Sequence, residues 1–357
     1  MLGVFALATL MTVGALPAAS VEASSNAANR LIHNGVIVFS RDAPSGLGAN
    51  LYAINSRGGA ARLLIGGNVV DGSASWSPDG SKLAFDRSRG GPGPPGVEKV
   101  VVANADGSKV REIADGNHPV WSPAGDEIAF DDVGASARAS RIFVIHPNGS
   151  GKRRLSPRRL FAFSPAWSPN GHQLAFYGGR SSLARAVYVV GENGRGEHRL
   201  APVRRADLIT TLSPPAWSPD GNLIGFAGGN GRYTKLYLAS ADARKTRTLL
   251  ARPSASLGEI SVIAWSRDGR TIAFDGAIGR HNAPPFAVYV VRSSALGMKR
   301  VKRFADHPVW SPDGRELLFS TYNSNYALEI ANSRGRLLRR LDKSTANDHD
   351  PVWQPLP

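Results

Sequence analysis

Three histidines and an aspartate stand just ahead of tryptophans: His118 and His307 lie three residues before Trp121 and Trp310, and the pair His349-Asp350 leads into Trp353. Imidazole and carboxylate groups converging from such positions suit a divalent metal. A local role is also open, because His-Pro or Asp-Pro ahead of a Trp can cap the start of a strand. A second set is cationic. Arg158 and Arg159 fall in SPRRLFAFSP (156–165), and Arg204 and Arg205 in APVRRADLITTLSPP (201–215). Arg87 and Arg280 fall in loops that follow a predicted second strand. Guanidinium forks clustered on one loop face would take carboxylate- or phosphate-bearing glycans or an acidic protein surface; a merely solvated face is the other reading.

Several chemistries are absent from the sequence. With no cysteine there is no disulfide framework, thiolate zinc site or thiol nucleophile. G-x-S-x-G and H-E-x-x-H do not occur, and GSGK (149–152) lacks the spacing of a phosphate loop. The formal net charge of +15 favours anionic partners. Much of that charge falls in predicted outer strands, such as KRVKR (299–303), where it blunts an exposed edge against pairing. No platform of interleaved aromatic and basic residues is present, so nucleic acid is not expected.

What must position these residues is a repeat. All seven tryptophans share one context, as in HPVWSPAG (118–125), SPAWSPNG (164–171) and HPVWSPDG (307–314): Trp76, Trp121, Trp167, Trp217, Trp265, Trp310 and Trp353, spaced 45, 46, 50, 48, 45 and 43 residues apart. Ser-Pro-Asp-Gly predicts a type I turn, with Pro presetting φ and Gly taking the left-handed position. An alternating strand follows, as in KLAFD (82–86), EIAFD (127–131) and TIAFD (271–275), then a third such as AVYVV (186–190 and 287–291), then a short fourth. Four strands in about 45 residues is the unit of a propeller blade. Each Trp is expected to fill the space between neighbouring sheets, not to stack on a substrate.

The motif resembles that of the TolB-like, or PD40, β-propeller family, P-x-W-S-P-D-G-x-x-I-A-F, over roughly residues 35–357. The resemblance implies a WD40-like propeller fold and an exported, non-catalytic module that binds a protein or an anionic envelope glycan. It also keeps a metal-dependent polysaccharide lyase or hydrolase open, because propeller lyases use histidines and a metal at the channel mouth. No cofactor beyond that metal is expected. In the resemblance TolB is a six-bladed ring behind an α/β domain. Here about a dozen residues separate the apolar N-terminus from the first strand, so the Tol-system subunit proper is not expected.

Counting units sharpens the fold. Trp353 has no strands after it, whereas GVIVFSR (35–41), NLYAINS (50–56) and ARLLI (61–65) read as strands two to four with no Trp before them. The expectation is an all-β propeller of seven four-stranded blades, with six as the alternative, closed by the C-terminal strand pairing with the N-terminal blade. Residues 35–357 form this single domain, and 24–34 are a linker. Residues 2–23, LGVFALATLMTVGALPAASVEA, read as a secretory signal peptide, or as an uncleaved anchor or a misplaced start. The protein is expected to be periplasmic or secreted, and monomeric.

Overall fold

The computed structural model of the chain describes residues 35–43, 48–89, 98–132, 140–180, 185–200, 214–229, 234–250, 257–278, 286–322, 327–342 and 346–356. They form strands and, among the described residues, no helix. The turns form as their residue types require. Ser77 Oγ donates to Asp79 Oδ1 at 2.6 Å and accepts the Lys82 N–H at 2.9 Å, while the Gly80 N–H bonds the Ser77 carbonyl at 2.9 Å. Gly80 has φ 66°, a conformation glycine adopts without steric cost. Ser168, Ser218, Ser266 and Ser311 repeat the arrangement.

Strand pairing gives two sheets of eight strands and three of four. Each sheet of eight is two antiparallel sets of four joined through a single residue pair, Ala49 with Val70 in one and Thr234 with Leu257 in the other. The strands therefore group in sets of four, each named here for its tryptophan. The Trp76 sheet runs Val69–Trp76, Lys82–Arg89, Lys99–Asn104 and Arg111–Asp115; the Trp310 sheet runs Ala305–Trp310, Glu316–Thr321, Ala327–Asn332 and Leu337–Arg340. The Trp353 sheet draws on both ends of the chain: Asp348–Trp353, then Val36–Asp42, Ala49–Asn55 and Arg62–Ile65.

The core lies between sheets. Val38 and Leu51 pack with Trp76, Leu83 and Phe85 of the next sheet, and Ala129 and Ile142 pack with Trp167 and Phe176. The same pattern links Leu318, Leu328 and Ile330 of the Trp310 sheet to Ile37, Phe39 and Ile54 of the Trp353 sheet. The second-strand phenylalanines Phe39, Phe85, Phe130, Phe176, Phe274 and Phe319 are fully buried, each contributing about 1.5–3 kcal/mol. The tryptophans fill the inter-sheet space as expected and also bond across it. The indole N–H groups of Trp167, Trp217, Trp265 and Trp310 donate to the carbonyls of Val120, Ala166, Ala216 and Ala264, each the residue just before the preceding sheet's Trp, at 3.0–3.3 Å.

The two ends meet in register. Ile37 stands opposite Trp353, Val38 opposite Val352, and Arg41 opposite Asp348. Arg41 grips Asp348 with both arms, at 2.5 and 2.7 Å, also reaches Asp342, and lies over the Tyr52 ring. Burial alone would lower the Arg41 pKa, but the two carboxylates outweigh it and hold the guanidinium charged.

Candidate functional site

The first strands break their ladders at one recurring point. Pairing slips between Gly72 and Ser75, Asn117 and Val120, Phe163 and Ala166, and Asp306 and Val309. At each slip the residue three before the Trp has a positive φ: Ser73 47°, His118 50°, Ser164 52° and His307 50°; Asp350, at 51°, does the same in the Trp353 sheet. A left-handed non-glycine residue costs roughly 1–2 kcal/mol. The preceding sheet supplies compensation. Asp86 accepts the His118 N–H at 3.1 Å, Asp131 the Ser164 N–H at 3.2 Å, and Asp275 the His307 N–H at 2.9 Å. These aspartates are the last letters of KLAFD, EIAFD and TIAFD and lie inside the second strands, so the last letter of that recurring string is a clamp on the next sheet's bulge. Sequence reasoning noted the strings but missed the clamp. Its signal was an acidic residue recurring inside the second strand, directly after the buried Phe. Burial pushes the Asp275 carboxyl up from its ordinary value.

The bulge aims side chains along the face that carries the connections into the first strands. His307 Nε2 lies 3.0 Å from Asp350 Oδ1, and His349 Nδ1 lies 3.0 Å from Asp350 Oδ2. Asp350 is thus held between two imidazoles, one from the neighbouring sheet. His349 Nε2 also approaches Asp42 at 3.3 Å. His307 Nδ1 is 3.1 Å from Asp306, so the His307 ring lies between two carboxylates. Burial lowers the His307 pKa, yet Asp306 and Asp350 override it and raise it to about 11. His349 is raised for the same balance of causes. Burial would raise Asp350, but the two imidazoles carry it well below the carboxylate range.

His118 stands apart from this cluster. Its Nδ1 bonds Asp131 at 2.9 Å, and Asp131, Asp86 and Glu98 outweigh burial to raise it to about 9. The structure therefore brings together three of the four metal candidates, His307, His349 and Asp350. A divalent metal bound by imidazole and carboxylate needs contacts near 2.0–2.2 Å and unprotonated imidazoles. Among the described residues no group of three or more such side chains is arranged to hold a metal ion. The present arrangement, with imidazolium facing carboxylate at hydrogen-bond distance, does not fit one without rearrangement.

Of the arginines, Arg158 and Arg159 are exposed in the connection into the Trp167 sheet. The Arg158 carbonyl accepts from Arg141, and the Arg159 side chain pairs with Glu197. Arg87 is committed inside the Trp76 sheet, where it forks onto the fully buried Asp71 at 2.6 and 2.8 Å. Arg204, Arg205 and Arg280 lie outside the described residues. The described part of this face is accordingly mixed in charge: Asp42, Asp306 and Asp350 stand among the histidines.

Tryptophan-headed four-stranded sheets, clamped one to the next, define a repeat protein of the propeller class. The family model described as TolB beta propeller domain, PD40, matches residues 36–206 and 96–356. The chain belongs to that family. It is similar to Protein TolB homolog from Chlorobium luteolum, 31% identical over 133 residues; the match covers 36% of this chain and 29% of that relative, under a third of its length. Among solved structures, TolB from Acinetobacter baumannii superposes with a TM-score of 0.52 at 15% identity, covering 80% of this chain and 82% of that one. Oligogalacturonate lyase from Vibrio parahaemolyticus gives 0.63 at 14% identity, covering 85% and 89%. At these identities the structural likeness shows the fold alone.

Proposed function

We propose that the four-stranded sheets are the blades of a seven-bladed closed ring, and that the protein works outside the cytoplasm as a non-catalytic binding module. Its mouth is the His307–Asp350–His349 face. Closure is supported by the packing of the Trp310 sheet on the composite Trp353 sheet. Location outside the cytoplasm rests on the apolar run 2–23. Among the described residues no helix is long and apolar enough to cross a membrane.

One observation carries the binding reading: the ionisable groups at the mouth satisfy one another across two sheets. They form a fixed polar surface of both signs, with the His307 and His349 imidazoles each held against a carboxylate. Such a surface suits a protein partner with its own mixed charges better than a uniform polyanion. An anionic envelope glycan would rely on the loop arginines Arg158, Arg159, Arg204 and Arg205. The test is capture from an envelope extract, followed by binding of the purified partner to His307→Ala and His349→Ala variants. Affinity is expected to weaken roughly tenfold or more; binding unchanged by both substitutions contradicts the reading.

A metal-dependent lyase or hydrolase is the second reading, favoured by the convergence of His307, His349 and Asp350. Elemental analysis after dialysis decides it. Stoichiometric manganese, zinc or calcium, together with unsaturated products from an acidic polysaccharide, would replace the binding reading with this one.

A further inference from the structure

We infer that the rim of the opposite face, which carries the Ser-Pro-Asp-Gly turns, docks on an anionic lipid surface. Because consecutive strands are antiparallel, the turn from third to fourth strand lies at the same end of each sheet as the Ser-Pro-Asp-Gly turn. Among the described residues, the exposed large apolar side chains other than Val70 and Leu356 are Leu296, Met298, Leu337, Leu338, Leu63 and Val110, each 40–64% exposed. All six lie in that turn or on the fourth strand, and they come from four consecutive sheets, headed by Trp265, Trp310, Trp353 and Trp76. The Trp121, Trp167 and Trp217 sheets, whose fourth strands are Arg153–Arg154, His198–Arg199 and Thr246–Leu250, add none among the described residues. The apolar rim is therefore one-sided.

It is also continuous and basic. Lys299 Nζ donates to the Arg334 carbonyl at 2.9 Å, joining the Trp265 and Trp310 sheets, and Arg339 Nε donates to the Ser56 carbonyl at 2.9 Å, joining the Trp310 and Trp353 sheets. Gly107 lies so close to the Leu64 carbonyl that a Cβ there would meet it at 2.3 Å, which joins the Trp353 and Trp76 sheets. Arg62, Lys109, Arg300 and Arg336 are exposed between the apolar side chains and enter no ion pair among the described residues. The exposed carboxylates at this end of the four sheets, Asp79, Asp106, Glu112, Asp268 and Asp313, are outnumbered by exposed Arg and Lys, among them Arg62, Lys109, Arg267, Arg270, Arg300, Arg315 and Arg336.

The choice of occupant follows from chemistry. A soluble polyanion would use the basic groups and gain nothing from the leucines. A second copy pairing strand edge to strand edge would set Lys and Arg against Lys and Arg, which repels. The boundary between headgroups and acyl chains of an anionic membrane takes both kinds of side chain. The chain's course agrees: the apolar run 2–23 connects through residues 24–34 to Gly35, where the second strand of the Trp353 sheet begins at this same end.

The test is flotation of the full chain with vesicles rich in phosphatidylglycerol or made of phosphatidylcholine alone. One variant carries Arg62→Glu, Lys109→Glu, Arg300→Glu and Arg336→Glu; another carries Leu63→Ser, Met298→Ser and Leu337→Ser. All these sites are exposed, so tryptophan fluorescence and melting should match wild type. Wild type should bind the anionic vesicles at least roughly tenfold more tightly than the neutral ones. The charge variant should lose about tenfold or more of that binding, and the apolar variant several-fold. Equal binding to both vesicle types, unaltered by either variant, would assign all attachment to residues 1–34 and overturn the proposal. Binding lost in the charge variant but intact in the apolar one would assign the rim to a soluble polyanion or an acidic protein, and would overturn it too.

Discussion

At the residue scale, the His307–Asp350–His349 cluster makes stability depend on pH in a defined sense. The His307 pKa rises from its ordinary 6.5 to about 11, so its contribution is complete below about 6.5 and is lost as pH climbs toward 11. Asp350 is depressed, so its contribution is complete above the ordinary carboxylate value of 3.8 and is lost as pH falls below it. The stability gap between wild type and His307→Gln, measured by urea unfolding across pH, should be widest between about 4 and 6.5 and close toward 11; a gap that widens with rising pH contradicts the pairing. The shared placement of His118, His307 and Asp350 three residues before a Trp is plain in the sequence. The reason for that placement is not. Each is a left-handed bulge residue, with the N–H of His118 and of His307 bonded to an aspartate of the preceding sheet, and a bulge breaks the two-residue alternation by which strands are read. Arg87 misled for a related reason: its partner Asp71 belongs to the adjacent strand, sixteen residues back.

At the element scale, the tryptophans combine burial with a bond to the preceding sheet, but not uniformly. Trp265 donates to Ala216, whereas the buried indole nitrogen of Trp76 has no partner. Replacing either by Phe removes similar volume. Trp265→Phe should therefore cost about 1 kcal/mol more than Trp76→Phe in denaturant unfolding at unchanged m-value. Equal costs would mean the inter-sheet bond contributes nothing net. Turns and second strands were the most legible elements, because Ser-Pro-Asp-Gly and the buried Phe recur at fixed offsets. The strand read at residues 35–41 forms one residue later, at Val36–Asp42. The fourth strands were least legible; two shrink to Arg153–Arg154 and His198–Arg199, since an outer edge with polar side chains buries little to hold a longer ladder.

At the scale of the whole molecule, the charge of the described residues is unevenly spread: imidazolium and carboxylate groups offset one another on the His307–Asp350–His349 face, while exposed basic groups outnumber carboxylates on the opposite rim. Both surfaces depend on the chain's ends meeting in one sheet, where Arg41 ties the second strand to Asp342 and Asp348 near the C-terminus. That arrangement was legible from the unmatched Trp353 and the headless strands at the N-terminus. Val38 and Val352 stand opposite each other in this sheet, within the Cα separation a disulfide spans, and the chain has no cysteine of its own. The decisive measurement is oxidation of the Val38→Cys, Val352→Cys double variant, read as loss of free thiols and a rise in Tm. The account predicts rapid intramolecular closure and a Tm higher by several degrees; thiols that stay free in the folded protein would contradict it.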